Sequence, residues 1–359
     1  MFTRRHVSVL ALLLALILSA CGSNVTPSGQ APTVAPTSGS APAATVALPT
    51  TAPTAAPAPT EAPTAAPTAA PAAAPTAAAT GGVTITDVAG RTVTVAAPPQ
   101  RIISLAPSDT EILFALDLGP KVVAVDDFSD YPADVKGLPK IGGTNGTYNF
   151  EQIVALKPDL IFAAGITAPE AITKLEALKL PVVVVGTEKT SFESVFADIA
   201  LVGQATGQAE PATQVITAMQ DQLTALKAKL AGAKEKPLVY WELDATDPAK
   251  PYSVGPGNFV DDMIALAGGT NVFEKVETPF PQVSAEQVVA ANPDVIILSD
   301  AAYGITIESV LKRPGWQVIT AVKQQRVEPI DDNLVSRPGP RLVEGLEASA
   351  RIIHPELFQ

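Results

Sequence analysis

Hydrophobic positions along this chain recur with two periods, and each change of period marks a boundary between elements. From Val83 to Val95, Thr alternates with Val and Ile around Ala89-Gly90-Arg91, the pattern of a β-hairpin. Short apolar runs then predict strands over Arg101 to Leu105, Val122 to Val125, Leu160 to Ala164, Val182 to Val185, Leu238 to Leu243, Val295 to Leu298 and Val327 to Ile330. The β-branched run at Val182 suits a parallel strand buried on both faces. Spacings of three and four predict helices between the strands. Ser108 is expected to cap one, with Glu111 completing a capping box, and Thr190 with Glu193 to cap another. Ile216, Met219, Leu223, Leu226 and Leu230 make one apolar stripe on a helix of roughly five or six turns that begins near Pro211. Further helices are expected from Phe259 to Ala267 and from Arg341 to His354.

One pattern occurs twice. Glu151 to Ile161 (EQIVALKPDLI) returns as Glu286 to Ile296 (EQVVAANPDVI), with seven of eleven positions identical. Each copy is a short helix, a proline that stops it and a buried strand, with Asn149 or Ser284 as N-cap and Gln152 or Gln287 in capping-box position. A repeat at so wide a spacing implies two similar lobes. The expected fold is therefore α/β: two lobes with mostly parallel sheets flanked by helices, joined by one long spine helix, with a ligand cleft between them.

The ends change the picture of where this domain works. Arg4 and Arg5 precede an apolar run from Val7 to Leu18, too short to span a bilayer comfortably, which reads as a signal peptide over residues 1–20. It ends at Leu18-Ser19-Ala20-Cys21, which resembles the bacterial lipobox; Cys21, the only cysteine, is the expected lipidation site. Residues 21–80 are almost wholly Ala, Pro and Thr, a composition that favours an extended tether with a reach on the order of 180 Å. The expected folded parts are an N-terminal lobe over 81–190, the helical spine over 191–235 and a C-terminal lobe over 236–359. The expected location is the extracytoplasmic face of the cell membrane, held by lipid alone.

Composition narrows the function. Without Arg4 and Arg5 the chain has 22 basic against 36 acidic side chains, a formal charge near −14 that disfavours nucleic acid as a partner. Its two histidines are His6 and His354, and it has no glycine-rich phosphate loop or nucleophile elbow. An enzyme would have to use loop carboxylates such as Asp126-Asp127, Asp261-Asp262 or Asp331-Asp332; a surface-anchored hydrolase of that kind is the reading from a different class. No catalytic residue, metal site or cofactor is expected. Binding has more support, because the scarce aromatics gather in segments that connect strands and helices: Phe128, Tyr131 and Tyr148 in the first half, Tyr252 and Phe280 in the second, with Trp241 nearby. Glu151 and Glu286 sit where a helix dipole favours a carboxylate, or they pair with basic groups on one two-fold partner.

From about Thr86 to Phe358 the chain resembles extracytoplasmic substrate-binding proteins of ABC importers, in the class whose lobes are joined by one long helix. Ile103 to Glu111 (ISLAPSDTE), Ser129 to Pro132 (SDYP), Asn149 to Asp159 and Pro279 to Ser284 (PFPQVS) look most like the cobalamin-binding branch. The resemblance implies that Tyr131, Tyr148, Phe280, Asp332 and Arg337 line the cleft; Ser108, Phe128, Trp241 and Tyr252 are expected as further ligand contacts. It also implies that Glu151 and Glu286 dock on arginines of a permease dimer, and that the receptor works as a monomer. Tyr148 and Phe280 stand where that branch carries tryptophan, and Ala163-Ala164 where an aromatic is expected. Relatives on the same framework bind ferric siderophores and haem, so the expected cargo is cobalamin or a related corrinoid, with those metal chelates as the alternative.

Overall fold

Apolar runs without polar alternation become the inner strands of two separate sheets. The structure, a computed structural model, describes residues 82–96, 98–186 and 190–359; the leader, Cys21 and the whole of the Ala/Pro/Thr-rich segment lie outside the described residues. Strands β1 (Val83–Thr86) and β2 (Thr92–Val95) form the expected antiparallel hairpin. Its turn is held by Asp87, whose Oδ1 accepts from the amides of Ala89 and Arg91 while Gly90 takes a positive φ of 75°.

The first sheet is built by β3 (Ile102–Ser104), α1 (Pro107–Ala115), β4 (Val122–Val125), α2 (Phe150–Ala155), β5 (Leu160–Ala164), α3 (Pro169–Ala177) and β6 (Val182–Val185). Its order is β4-β3-β5-β6, all parallel. Helices α4 (Phe192–Thr206) and α5 (Ala209–Leu230) then pack together and lead to the second sheet. That sheet follows from β7 (Leu238–Asp244), β8 (Tyr252–Ser253), α6 (Phe259–Leu266), β9 (Thr270–Asn271), α7 (Ala285–Ala291), β10 (Val295–Leu298), α8 (Ile307–Leu311), α9 (Thr320–Lys323) and β11 (Val327–Pro329). Its order is β11-β10-β7-β8 with β9 on β7, and only β8 runs antiparallel. The short α10 (Asp332–Val335) and α11 (Leu342–Ile353) close the chain.

Alternation along each buried strand divides the interior into three cores. Ile102, Phe162 and Val183 of the first sheet share one core with Val239, Trp241, Val295 and Ile297 of the second, and Met219, Leu223, Leu226 and Leu230 of α5 enter the same core with Leu346 and Ile353 of α11. The opposite faces have their own cores, with Ile103, Ile161 and Val184 in one lobe and Tyr240, Ile296 and Leu298 in the other. The stripe on α5, which packs on α4 and α11, thus belongs to a core common to both lobes, the seam between them.

The repeated units fold alike. Asn149 Oδ1 accepts from the Gln152 amide, and Ser284 with Gln287 forms a full reciprocal box. Each helix ends on a residue of positive φ, Lys157 (49°) or Asn292 (46°), directly before its proline. The aspartate after each proline pins the neighbouring strand: Asp159 accepts from the amides of Gln100 (2.7 Å) and Arg101 (2.9 Å), and Asp294 from that of Leu238 (2.9 Å). Two expected caps are corrected. Helix α1 starts at Pro107, so Ser108 lies inside its first turn and caps nothing, while Glu111 is an ion-pair partner. Helix α4 is capped by Ser191 and Ser194 rather than by Thr190 and Glu193.

Candidate functional site

A parallel strand ends in a loop with no further pairing, so side chains at the carboxyl edge of such a sheet are free to meet a ligand. In this molecule the carboxyl-edge loops after β3, β4, β5 and β6 and those after β8, β10 and β11 line one cavity of about 760 Å³. A hollow of about 730 Å³ elsewhere is an open groove lined by α5 alone, from Ala209 to Asp221, without convergent groups from a second element.

The cavity brings together Ser108, Phe128, Phe280, Asp332 and Arg337 of the sequence-expected set. Its apolar surface is prominent: Phe128 is 56 % exposed, Phe280 54 %, Tyr303 77 % and Ile166 89 %. Four expected contacts are not among the lining residues. Trp241 is fully buried, because β7 alternation sends it with Val239 into the shared core. Tyr131 is half-exposed, with the Arg341 guanidinium 3.8 Å over its ring. Tyr148 packs edge-on against Phe150 at 6.4 Å and hydrogen-bonds Thr167. Tyr252 lies on the edge strand β8, away from the cavity wall.

Charges in and behind the wall are mostly acidic. Asp109 lines the cavity from the first turn of α1, and burial, followed by the charges of Asp198 and Asp126, pushes its carboxyl well above the usual range. Burial pushes Asp198 on α4 up to about 6 against the Gly186 amide, which donates to it at 3.0 Å. Burial also raises Asp332, which hydrogen-bonds Ser336 and Tyr303, and the Asp332 charge in turn raises the Tyr303 hydroxyl. Arg337 is the one cationic side chain among the described lining residues. Its Nη1 is 2.6 Å from Asp130 and 3.3 Å from Glu111, and its Nη2 donates to the Phe128 carbonyl at 3.3 Å. Arg341 completes the cluster with two bonds to Glu111, at 2.9 and 2.6 Å. These pairs tie the segment after β11 to α1 and the β4 loop, so the two lobes are bridged by charge at one edge of the cleft.

Glu151 and Glu286 are exposed in the first turns of α2 and α7, outside the cavity. A backbone hydrogen bond and Ser284 lower the Glu286 carboxyl. Sequence reasoning missed Asp109, Asp198, Ile166 and Tyr303. The first two lie within helices, where burial is decided by what packs against them. Among the described residues no group of three or more His, Cys, Asp or Glu is arranged to hold a metal ion, and no helix is long and apolar enough to cross a membrane.

Comparison with known proteins accounts for this arrangement. A family model described as periplasmic binding protein matches residues 102–334. An uncharacterized ABC transporter substrate-binding lipoprotein of Bacillus subtilis is 36 % identical over 77 % of this chain and 87 % of its own length. A vitamin B12-binding protein of Vibrio cholerae is 31 % identical over 70 % of this chain and 87 % of its own. Among solved structures, the periplasmic haem-binding protein of Roseiflexus sp. RS-1 in apo form aligns with a TM-score of 0.65 at 29 % identity, covering 72 % of this chain and 99 % of that one. The periplasmic vitamin B12-binding protein of Vibrio cholerae aligns with a TM-score of 0.62 at 28 % identity, covering 73 % and 100 %.

Proposed function

Since the chain belongs to the periplasmic binding protein family and is the substrate-binding component of an ABC importer, we propose that its cargo is cobalamin or a related corrinoid. The observation that carries this reading is the interlobe cavity of about 760 Å³ walled by Phe128, Phe280, Ile166 and Tyr303. Apolar side chains contributed by both lobes suit a flat macrocycle, and the volume lies within the range of about 300–1,000 Å³ usual for small-molecule sites. Ser108, Asp332 and Arg337 supply hydrogen bonds at its edge.

Delivery follows from the surface. Glu151 and Glu286, one on each lobe and free of ion pairs among the described residues, are the proposed contacts to arginines of a two-fold permease. Cys21 carries the proposed lipid, so that a monomeric receptor stands off the extracytoplasmic face on its tether. A haem ligand is the second reading, supported by the likeness to the haem-binding neighbour. Calorimetric titration of the purified domain with cyanocobalamin, haemin and a ferric siderophore separates these. Micromolar or tighter binding of cyanocobalamin alone is the expected result; preference for haemin or the siderophore replaces the corrinoid reading. Recovery of the ligand chemically unchanged distinguishes a receptor from a hydrolase.

A further inference from the structure

Between Ser299 and Arg313 the chain leaves the second-lobe core, runs over the surface and returns, and both ends of this segment are fastened to one residue of β7, Glu242. At the start, Ser299 donates to the Glu242 carbonyl from its amide at 3.1 Å and from its hydroxyl at 2.8 Å. At the end, the Arg313 guanidinium makes two bonds to the Glu242 carboxylate, at 2.5 and 2.7 Å, and lies 4.5 Å over the Trp316 ring. Tyr240 donates to the same carboxylate at 3.0 Å. These anchors are closed to solvent: Glu242 is 0 % exposed, Ser299 2 % and Arg313 5 %. What they hold is exposed. A 3-10 turn over Ala301–Tyr303 ends on Gly304, whose φ of 101° favours glycine, and the Tyr303 side chain it carries lines the cavity.

We infer that Glu242 and Arg313 are positioning residues for cargo binding: they act through the 299–313 segment to hold Tyr303 where its ring meets the ligand. A buried ion pair contributes little net stability, since desolvation of both charges offsets their attraction, and apolar side chains of similar volume often serve as well. Its particular property is direction. A guanidinium forked on a carboxylate fixes distance and angle together, which neither an apolar contact nor a lysine does. Direction matters at Tyr303 because little packs on the ring: at 77 % it is the most exposed aromatic side chain among the described residues, with its hydroxyl bonded to Asp332. An aromatic ring already held in its binding orientation loses little freedom when a ligand covers it. The segment is thus an arm rooted in the core with its tip in the cleft. This role rests on the reading of the cavity as a site for a flat macrocycle, and it is the same for a corrinoid or a haem.

The test is a double-mutant cycle on affinity, read by calorimetry with cyanocobalamin and with haemin as probes. Wild type, Tyr303→Ala, Arg313→Lys and the double variant are compared, and thermal melts show that each is folded. Lysine keeps a charge opposite Glu242 but not the fork. For whichever probe the wild type binds, Tyr303→Ala is expected to weaken binding by about tenfold or more. Arg313→Lys is expected to weaken it about three- to fivefold on its own and to have no further effect in the Tyr303→Ala background. A purely structural ion pair lowers the melting temperature and leaves the cycle additive, so equal losses in both backgrounds, or none in either, overturn the positioning role. If Arg313→Lys does not fold, Ser299→Ala loosens the other end of the segment and is held to the same criterion. Unchanged affinity in Tyr303→Ala overturns the role of the whole segment and leaves the macrocycle reading standing. A wild type that binds neither probe overturns that reading, and the positioning role with it.

Discussion

Asp198 shows how a buried carboxyl contributes to the pH response of this domain. Its folded-state pKa of about 6 stands above the ordinary value of 3.8, so the native state holds its proton longer than the unfolded chain does. Below pH 3.8 both states are protonated and the group contributes nothing. As pH rises from there to 6 the unfolded chain ionises first, and stability is lost until both states are charged. Asp300, also pushed up to about 6 by burial and by the Glu242 charge, acts with the same sign in the second lobe. Asp198→Asn is therefore expected to stabilise the ligand-free domain by about 1–3 kcal/mol at pH 7.5 and to have little effect at pH 4, read from denaturant midpoints. An equal effect at both pH values contradicts this account. Phe128 and Phe280 were marked in sequence as scarce aromatics in connecting segments, a signal that does not separate them from Tyr131 and Tyr148, which pack on Arg341 and Phe150 instead. Asp109 was not, because its Ser-Asp-Thr-Glu context reads as a helix cap until the proline at the true helix start is seen in place.

At the scale of elements, the duplicated unit carries more than helix and strand. Its invariant Pro-Asp step sets the start of the adjacent strand, through Asp159 on β3 and Asp294 on β7. Replacing either with Ala leaves strand-end amides without their acceptor and is expected to cost about 1–3 kcal/mol in chemical denaturation. Asp159→Ala should be the more damaging, because two amides lose their partner where Asp294→Ala strips one. Ser284→Ala, which removes one cap, is expected to cost about 1 kcal/mol. The inner strands were legible from their apolar runs, since burial on both faces leaves no polar position to confuse the pattern, whereas the two-residue β8 and β9 were not. Helices α3, α8, α9 and α10 were not, because they are short and take their stability from packing that the local sequence does not announce. Trp241 was misplaced for the same reason: a strand buried on both sides offers an aromatic no open face, and only the sheet order reveals which core receives it.

For the whole molecule, the shared core makes the two lobes one thermodynamic body. Met219, Leu223, Leu226 and Leu230 belong to one core with residues of both sheets, and Arg337 and Arg341 add the charged bridge to Glu111. Differential scanning calorimetry is expected to show one unfolding transition for the folded region; two resolved transitions would mean that the seam is weaker than its packing implies. Reversing Glu151 and Glu286 together to Lys is expected to abolish transport while the purified protein still binds its ligand, and loss of binding instead would remove both residues from a docking role. The same seam has a consequence for how occupancy is announced. Jaws joined along a common root behave like a stiff caliper, in which the smallest rotation at the root becomes the largest displacement at the points. On the docking proposed above, the separation of the Glu151 and Glu286 carboxylates is the gauge of a filled cleft presented to the permease.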